Sequence, residues 1–209
     1  MKKIILFCLL ILAGFCCKAQ TVTAISLQRS SKDIRFVEIV AGNVVIEVWG
    51  RGKVRLHPAD DSAISYETAF GSELTPNKIT SIGSTPVKYY DRFDGDDKMG
   101  KIKSVGEVII NYIDRFDGFD NIGKVKAVGS ITFKYIDRFD GFDNQGKLKA
   151  VGSFPITYYD RFDRDEINGK VKTIGKTTLT YYDRFDTGEN KGQIKAITGS
   201  NADLEILVN

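Results

Sequence analysis

Residues 133–155 read FKYIDRFDGFDNQGKLKAVGSFP, and close copies of this stretch recur along the chain. Tyr89, Tyr112, Tyr135, Tyr158 and Tyr181 each open such a copy, and each lies 23 residues from the next. Gly100-Lys101, Gly123-Lys124, Gly146-Lys147 and Gly169-Lys170 follow at the same distance, and Gly192-Gln193 closes the series in altered form. A period of this length marks a repeat architecture.

Each unit reads as one β-hairpin. Phe133-Lys134-Tyr135-Ile136 and its copies are rich in aromatic and β-branched residues, which suit a pleated, half-buried surface. In the return segment Lys147 and Lys149 alternate with Leu148, a period of two. Both segments are too short and too glycine-rich for helices. Between them, Asp-Gly-Phe-Asn-type residues and a terminal glycine give turn chemistry. Short joints at Gly83-Ser84, Gly106-Glu107, Gly129-Ser130, Gly152-Ser153 and Gly175-Lys176 make consecutive strands antiparallel neighbours. Pro86 and Pro155 share one repeat position at a strand entrance. The predicted fold is all-β: an antiparallel meander of stacked 23-residue hairpins, an open spiral or curled sheet of about 15 strands, with no substantial helix after the leader.

Outward from the repeats, residues 1–19 read as a secretory signal. Lys2 and Lys3 precede an apolar run, and Cys17-Lys18-Ala19 sets small residues where a signal peptidase cuts, before Gln20. The lipoprotein alternative falters at Phe15, which precedes Cys16 where a small residue is required. Export to the periplasm, the medium or the cell surface is therefore expected, with no transmembrane segment in the mature chain. Cys8, Cys16 and Cys17 would leave with the leader, and so would Lys2, Lys3 and Lys18. Taking those three from 30 basic residues leaves 27, against 27 acidic ones, so net charge points to no nucleic acid.

Residues 20–63 are expected to form capping strands, because terminal repeats are usually atypical. Residues 64–199 hold six repeats, the first degenerate: Ile64, Tyr66 and Phe70 match Val87, Tyr89 and Phe93. Residues 200–209 supply a final capping strand through Leu204, Ile206 and Val208. The repeats also leave open whether a bulge follows the first tyrosine or both sheet faces carry apolar stripes, since position 90 and its copies are apolar too.

Carboxylates recur three apart: Asp91, Asp94 and Asp97; Asp114, Asp117 and Asp120; Asp137, Asp140 and Asp143; Asp160, Asp163 and Glu166; Asp183, Asp186 and Glu189. Such loops are candidate calcium sites, above all at Asp117, Asp120, Asp140 and Asp143. The competing reading is an ion-pair ladder with Arg92, Arg115, Arg138, Arg161 and Arg184, which recur as strictly. Cations outnumber carboxylates in residues 124–146, four to three, which favours the ladder and no required cofactor. Phe93, Phe116, Phe139, Phe162 and Phe185 are expected to stack as a core spine. Tyr90, Tyr159 and Tyr182 are candidate binding residues that could stack on sugar rings or a protein surface, with packing against a neighbouring layer as the alternative. No nucleophile stands beside a base, His57 is the single histidine, and each carboxylate is copied in every repeat, so an enzyme is not expected.

The pattern Tyr-Tyr-Asp followed by Gly-Lys-Ile-Lys-Ser-Val-Gly, residues 89–106, resembles the YD repeats of Rhs-type bacterial surface and toxin-shell proteins. The likeness spans residues 64–199 and departs in the loop, nine residues from Asp137 to Gly146 where that family has three. The chain is also similar to aromatic hairpin repeats of cell-wall-binding proteins, although the single Trp49 provides no tryptophan-lined choline pocket. Both resemblances imply a secreted, non-catalytic hairpin stack acting as a binding or scaffold module. The alternative is a calcium-stabilised adhesin-like or carbohydrate-binding protein.

Overall fold

The computed structural model describes residues 20–30, 32–67, 78–188 and 190–209. The expected leader, Phe70 of the worn repeat and Glu189 lie outside the described residues. Seventeen strands are present among them, and no helix. They are β1 (Thr21–Leu27), β2 (Ile34–Ala41), β3 (Val44–Trp49), β4 (Val54–Pro58), β5 (Ile64–Tyr66), β6 (Ile79–Ile82), β7 (Thr85–Tyr89), β8 (Ile102–Val105), β9 (Val108–Tyr112), β10 (Val125–Val128), β11 (Ile131–Tyr135), β12 (Leu148–Val151), β13 (Phe154–Tyr158), β14 (Val171–Ile174), β15 (Thr177–Tyr181), β16 (Ile194–Thr198) and β17 (Glu205–Val208).

Strands β5 to β16 form one 12-stranded sheet in which every neighbour is consecutive in the chain. Its outer strands, β5 and β16, do not pair with each other, so the sheet is open and not a barrel. The remaining strands form a second sheet in the order β17-β1-β2-β3-β4, with β17 parallel to β1. This corrects the expectation that residues 20–63 and 200–209 cap the meander. The physical reason lies in β2 and β3, where Val37, Ile39, Val44, Ile46 and Val48 are fully buried. A sheet with such a face needs another sheet over it, not a place at the end of a stack.

Two local devices shape each hairpin. The joints Gly83, Gly106, Gly129, Gly152 and Gly175 all sit near φ +55° and are followed by a residue without positive φ, the pattern of a II′ turn. The second device is a bulge. Phe133 faces Val151 and Lys134 faces Ala150, but Tyr135 faces Leu148, so Lys149 is the extra residue. The same skip falls at Lys103, Lys126, Lys172 and Lys195. A regular strand would put Val125 and Val128, three apart, on opposite faces. With Lys126 bulged out, both are fully buried. The bulge therefore lies on the return strand, opposite the first tyrosine, and one face of the sheet remains polar: Lys88, Asn111, Thr132, Lys134, Thr157 and Thr180 are exposed.

The inner faces of the two sheets share one apolar core that includes Ile39, Ile46, Ile110, Leu148 and Leu179. Polar tethers join them at the edges. Thr85 donates its hydroxyl to Asn43 Oδ1 (2.6 Å), and Asn43 donates to the Ile82 carbonyl (3.2 Å). Lys170 donates to the Ser30 carbonyl (2.8 Å). Gly52 permits a close backbone approach: a Cβ there would lie 2.7 Å from the Lys124 Cα.

Candidate functional site

The five long loops that follow β7, β9, β11, β13 and β15 emerge at one end of the strands, and the II′ turns at the other. Each of these five loops begins with the same lock. Asp91 accepts the Phe93 N–H (2.8 Å), and Asp94 reaches back to accept the Asp91 N–H (3.0 Å). The pair recurs at Asp114 with Asp117, Asp137 with Asp140, Asp160 with Asp163, and Asp183 with Asp186. Two carboxylates three apart thus satisfy turn N–H groups reciprocally and end the strand at Asp137 and its copies.

This lock overturns the expected core spine. The Phe side chain sits at the tip of a closed turn, with no strand continuing beneath it. Phe93, Phe116, Phe139, Phe162 and Phe185 are between 72% and 92% exposed. Phe119 and Phe142, from the second half of two loops, are exposed by 82% and 83%. Arginines flank the rings: Arg92 lies 4.9 Å from the Phe93 centroid, and Arg184 lies 5.2 Å from that of Phe185.

In four of these loops the middle carboxylate also takes the bulge lysine of its own hairpin. Lys103 pairs with Asp94 (2.8 Å), and Lys126, Lys149 and Lys195 pair with Asp117, Asp140 and Asp186. The third carboxylate stitches one loop to the next. Arg115 Nε donates to Asp97 (3.2 Å) and Arg138 Nε to Asp120 (3.0 Å), and Arg161 forms an ion pair with Asp143 (3.1 Å). Lys98 adds a bond to Asp114 (2.8 Å), and Arg164 binds Asp183. In these pairs the cation is the outer partner: Arg115 is 57% exposed and Asp97 23%. Phenylalanine and arginine therefore stand outermost at these stitches, with Asp97, Asp120 and Asp143 behind them. Open grooves separate successive loops; one of about 630 Å³ is lined by Phe119, Asp120, Arg138, Phe139 and Lys149.

Beneath the rim lies a second ladder that sequence reasoning missed. The first tyrosine of each repeat donates its hydroxyl to the preceding return strand: Tyr112 to the Ile102 carbonyl (3.1 Å), Tyr135 to Val125 (3.0 Å), Tyr158 to Leu148 (2.9 Å) and Tyr181 to Val171 (2.9 Å). The lysine after the loop glycine lies over the next repeat's tyrosine: Lys101 is 4.9 Å from the Tyr112 centroid and Lys124 4.8 Å from that of Tyr135. Lys101 and Lys124 also donate to the next repeat's glycine carbonyl, at Gly123 and Gly146. The signal was present in the last unit. Gln193 stands where lysine stands elsewhere, in the hairpin whose β16 forms an outer edge of the meander.

The candidate binding tyrosines lie below the turn tips, and Tyr159 shares a groove with Phe162 and Phe185. Tyr90 is buried, contrary to an exposed role, and donates to the Ile110 carbonyl (2.9 Å). Tyr159 is half-buried and donates to the Leu179 carbonyl (3.1 Å), and Tyr182 is half-buried beneath Lys195. Tyr90 packs edge-on against Tyr112, and Tyr159 against Tyr181. These rings bridge neighbouring repeats.

The four carboxylates of the calcium reading, Asp117, Asp120, Asp140 and Asp143, each hold a cation of the chain, and among the described residues no three acidic groups converge. Millimolar calcium is accordingly expected to leave the melting temperature unchanged against chelator; a rise with calcium would make these loops metal sites. Acid should lower it. Hydrogen bonds from Lys103, Lys98, Lys126, Arg138 and Lys149 hold Asp94, Asp114, Asp117, Asp120 and Asp140 below the ordinary carboxylate pKa of 3.8. Their contribution is present above that value and lost as pH falls through the lower folded values.

Fold and rim together define an all-β repeat protein: a long meander packed on a smaller sheet, presenting one aromatic edge. No family model, curated protein or solved structure matches this chain.

Proposed function

We propose that the chain is an exported, non-catalytic β-repeat module that binds a surface through the rim of Asp-Arg-Phe-Asp loops. One observation carries this reading. Five phenylalanines at equivalent turn tips, and two more beside them, stand in water on rigidly locked loops. Large apolar groups gathered on one edge mark an interaction site. Repetition supports a non-catalytic role, because every carboxylate has copies in the other loops, and the resemblance to hairpin-repeat surface proteins agrees.

The test is a variant with Phe116, Phe119, Phe139 and Phe142 all changed to serine. It should melt as the wild type does, since these rings contribute nothing to the core. Wild-type protein should co-sediment with bacterial envelope preparations, and the variant should stay in the supernatant. Equal sedimentation of both would remove the rim as the docking surface.

A further inference from the structure

Resting on that reading, we infer that the surface the rim meets is an anionic phospholipid bilayer. Three observations converge. The rings are phenylalanines, without the hydroxyl or indole N–H that would bond a sugar or a protein backbone. Their cost in water is removed by a partner that is apolar and continuous along the row. The tips of Phe116, Phe119, Phe139 and Phe142, the loops with two rings each, are the most densely apolar part of the edge. They stand in adjacent repeats near the middle of the row, where a twisted edge meets a plane best.

Charge is the second observation. The carboxylates paired across the loops, Asp97, Asp120 and Asp143, are 23–33% exposed, while their partners Arg115, Arg138 and Arg161 remain at least half exposed; Asp96 and Asp165 are exposed loop carboxylates outside these pairs. At the stitched middle loops, where the two-ring tips stand, the outermost charge is therefore cationic although net charge is near zero.

The third observation comes from the smaller sheet. Its turn at residues 50–53 lies against Gly123 and Lys124, and Ser30 and Lys32, between β1 and β2, lie against Lys170 and Gly169. Both sites are the glycine-lysine steps that close the long loops. Arg29, Lys32, Arg51 and Lys53 on these segments are exposed. Both sheets therefore bring cations to the end of the molecule that bears the apolar tips. Apolar side chains that enter the acyl boundary, set among Arg and Lys that meet phosphate, are the chemistry of interfacial binding.

The experiment uses the full exported protein with vesicles of phosphatidylcholine alone and of phosphatidylcholine with a minority of phosphatidylglycerol. Wild type should co-sediment with the anionic vesicles. The four-serine variant should bind at least about tenfold more weakly, as removal of even one buried Phe requires. The Arg51→Glu, Lys53→Glu variant should bind several-fold more weakly. In a Phe139→Trp variant the added indole emission should shift to the blue on vesicles. Serine variants that bind as wild type, or an added indole emission that does not move, would overturn insertion of the rim. Envelope binding that depends on the phenylalanines without any vesicle binding would overturn the lipid assignment and leave the docking rim standing, with a protein or glycan as its partner.

Discussion

Tyr135→Ala is expected to lower the unfolding free energy by about 3–5 kcal/mol, the range for deleting a buried aromatic ring. Phe139→Ser, four residues away, should change it by no more than about 0.5 kcal/mol. Tyr135 is 7% exposed, and Phe139 is 90% exposed. Loss of the tyrosine removes three things together: ring packing in the shared core, the hydroxyl bond to the Val125 carbonyl and the surface beneath Lys124. Tyr135→Phe isolates the hydroxyl and should cost about 1 kcal/mol, because the Val125 carbonyl loses its donor. Urea denaturation followed by circular dichroism measures all three. A serious loss of stability in Phe139→Ser would place that ring against the fold and not in water.

The second large effect is alkaline unfolding. Burial raises the hydroxyl pKa of Tyr112, Tyr135, Tyr158 and Tyr181 above the ordinary 10.0. Each hydroxyl donates to a carbonyl, and a phenolate there would face that oxygen without a proton between them. The stability these groups contribute is complete below the unfolded value and is lost as pH rises toward the folded one. Above about pH 10 each tyrosine held un-ionised removes up to about 1.4 kcal/mol per pH unit. Lys101, Lys124, Lys147 and Lys170 act in the opposite sense. Burial lowers their pKa from 10.5, so deprotonation relieves a penalty as pH approaches that value and adds nothing beyond it. Stability should hold or rise slightly up to about pH 10 and then fall steeply. Tyrosinate absorbance and loss of the β-sheet signal should coincide in one step. Complete ionisation with the sheet intact would mean that these hydroxyls are open to solvent.

Much of the architecture was legible because it is local chemistry repeated. Gly152-Ser153 can only be a tight joint, and the alternation at Phe133, Lys134 and Tyr135 sets one face of a strand. The ladder of Asp120 with Arg138 was legible as charge recurring at one spacing. The direction of Phe139 was misread because Tyr135 and Phe139 share the parity of one strand face. That parity holds only if the strand continues, and the Asp137–Asp140 lock ends it. The signature Asp-x-x-Asp at each strand end was the available signal. The role of Lys124 was not legible, because its partners, Tyr135 and Gly146, belong to the next repeat.

By itself, the sequence determined the all-β class, the 23-residue period and the turn chemistry, since each depends on residues within one unit, while the expected single sheet of about 15 strands became 17 strands in two sheets. Tertiary structure decided the rest: the bulge at Lys126 that turns Val125 and Val128 to one face, the parallel pairing of β17 with β1, and the packing of the two sheets. These follow from burying an apolar face against a partner far away in the chain, and a period-two pattern names the face without naming what covers it. The same limit applies at the rim, where the pattern contains the phenylalanines but only the folded loop leaves them in water.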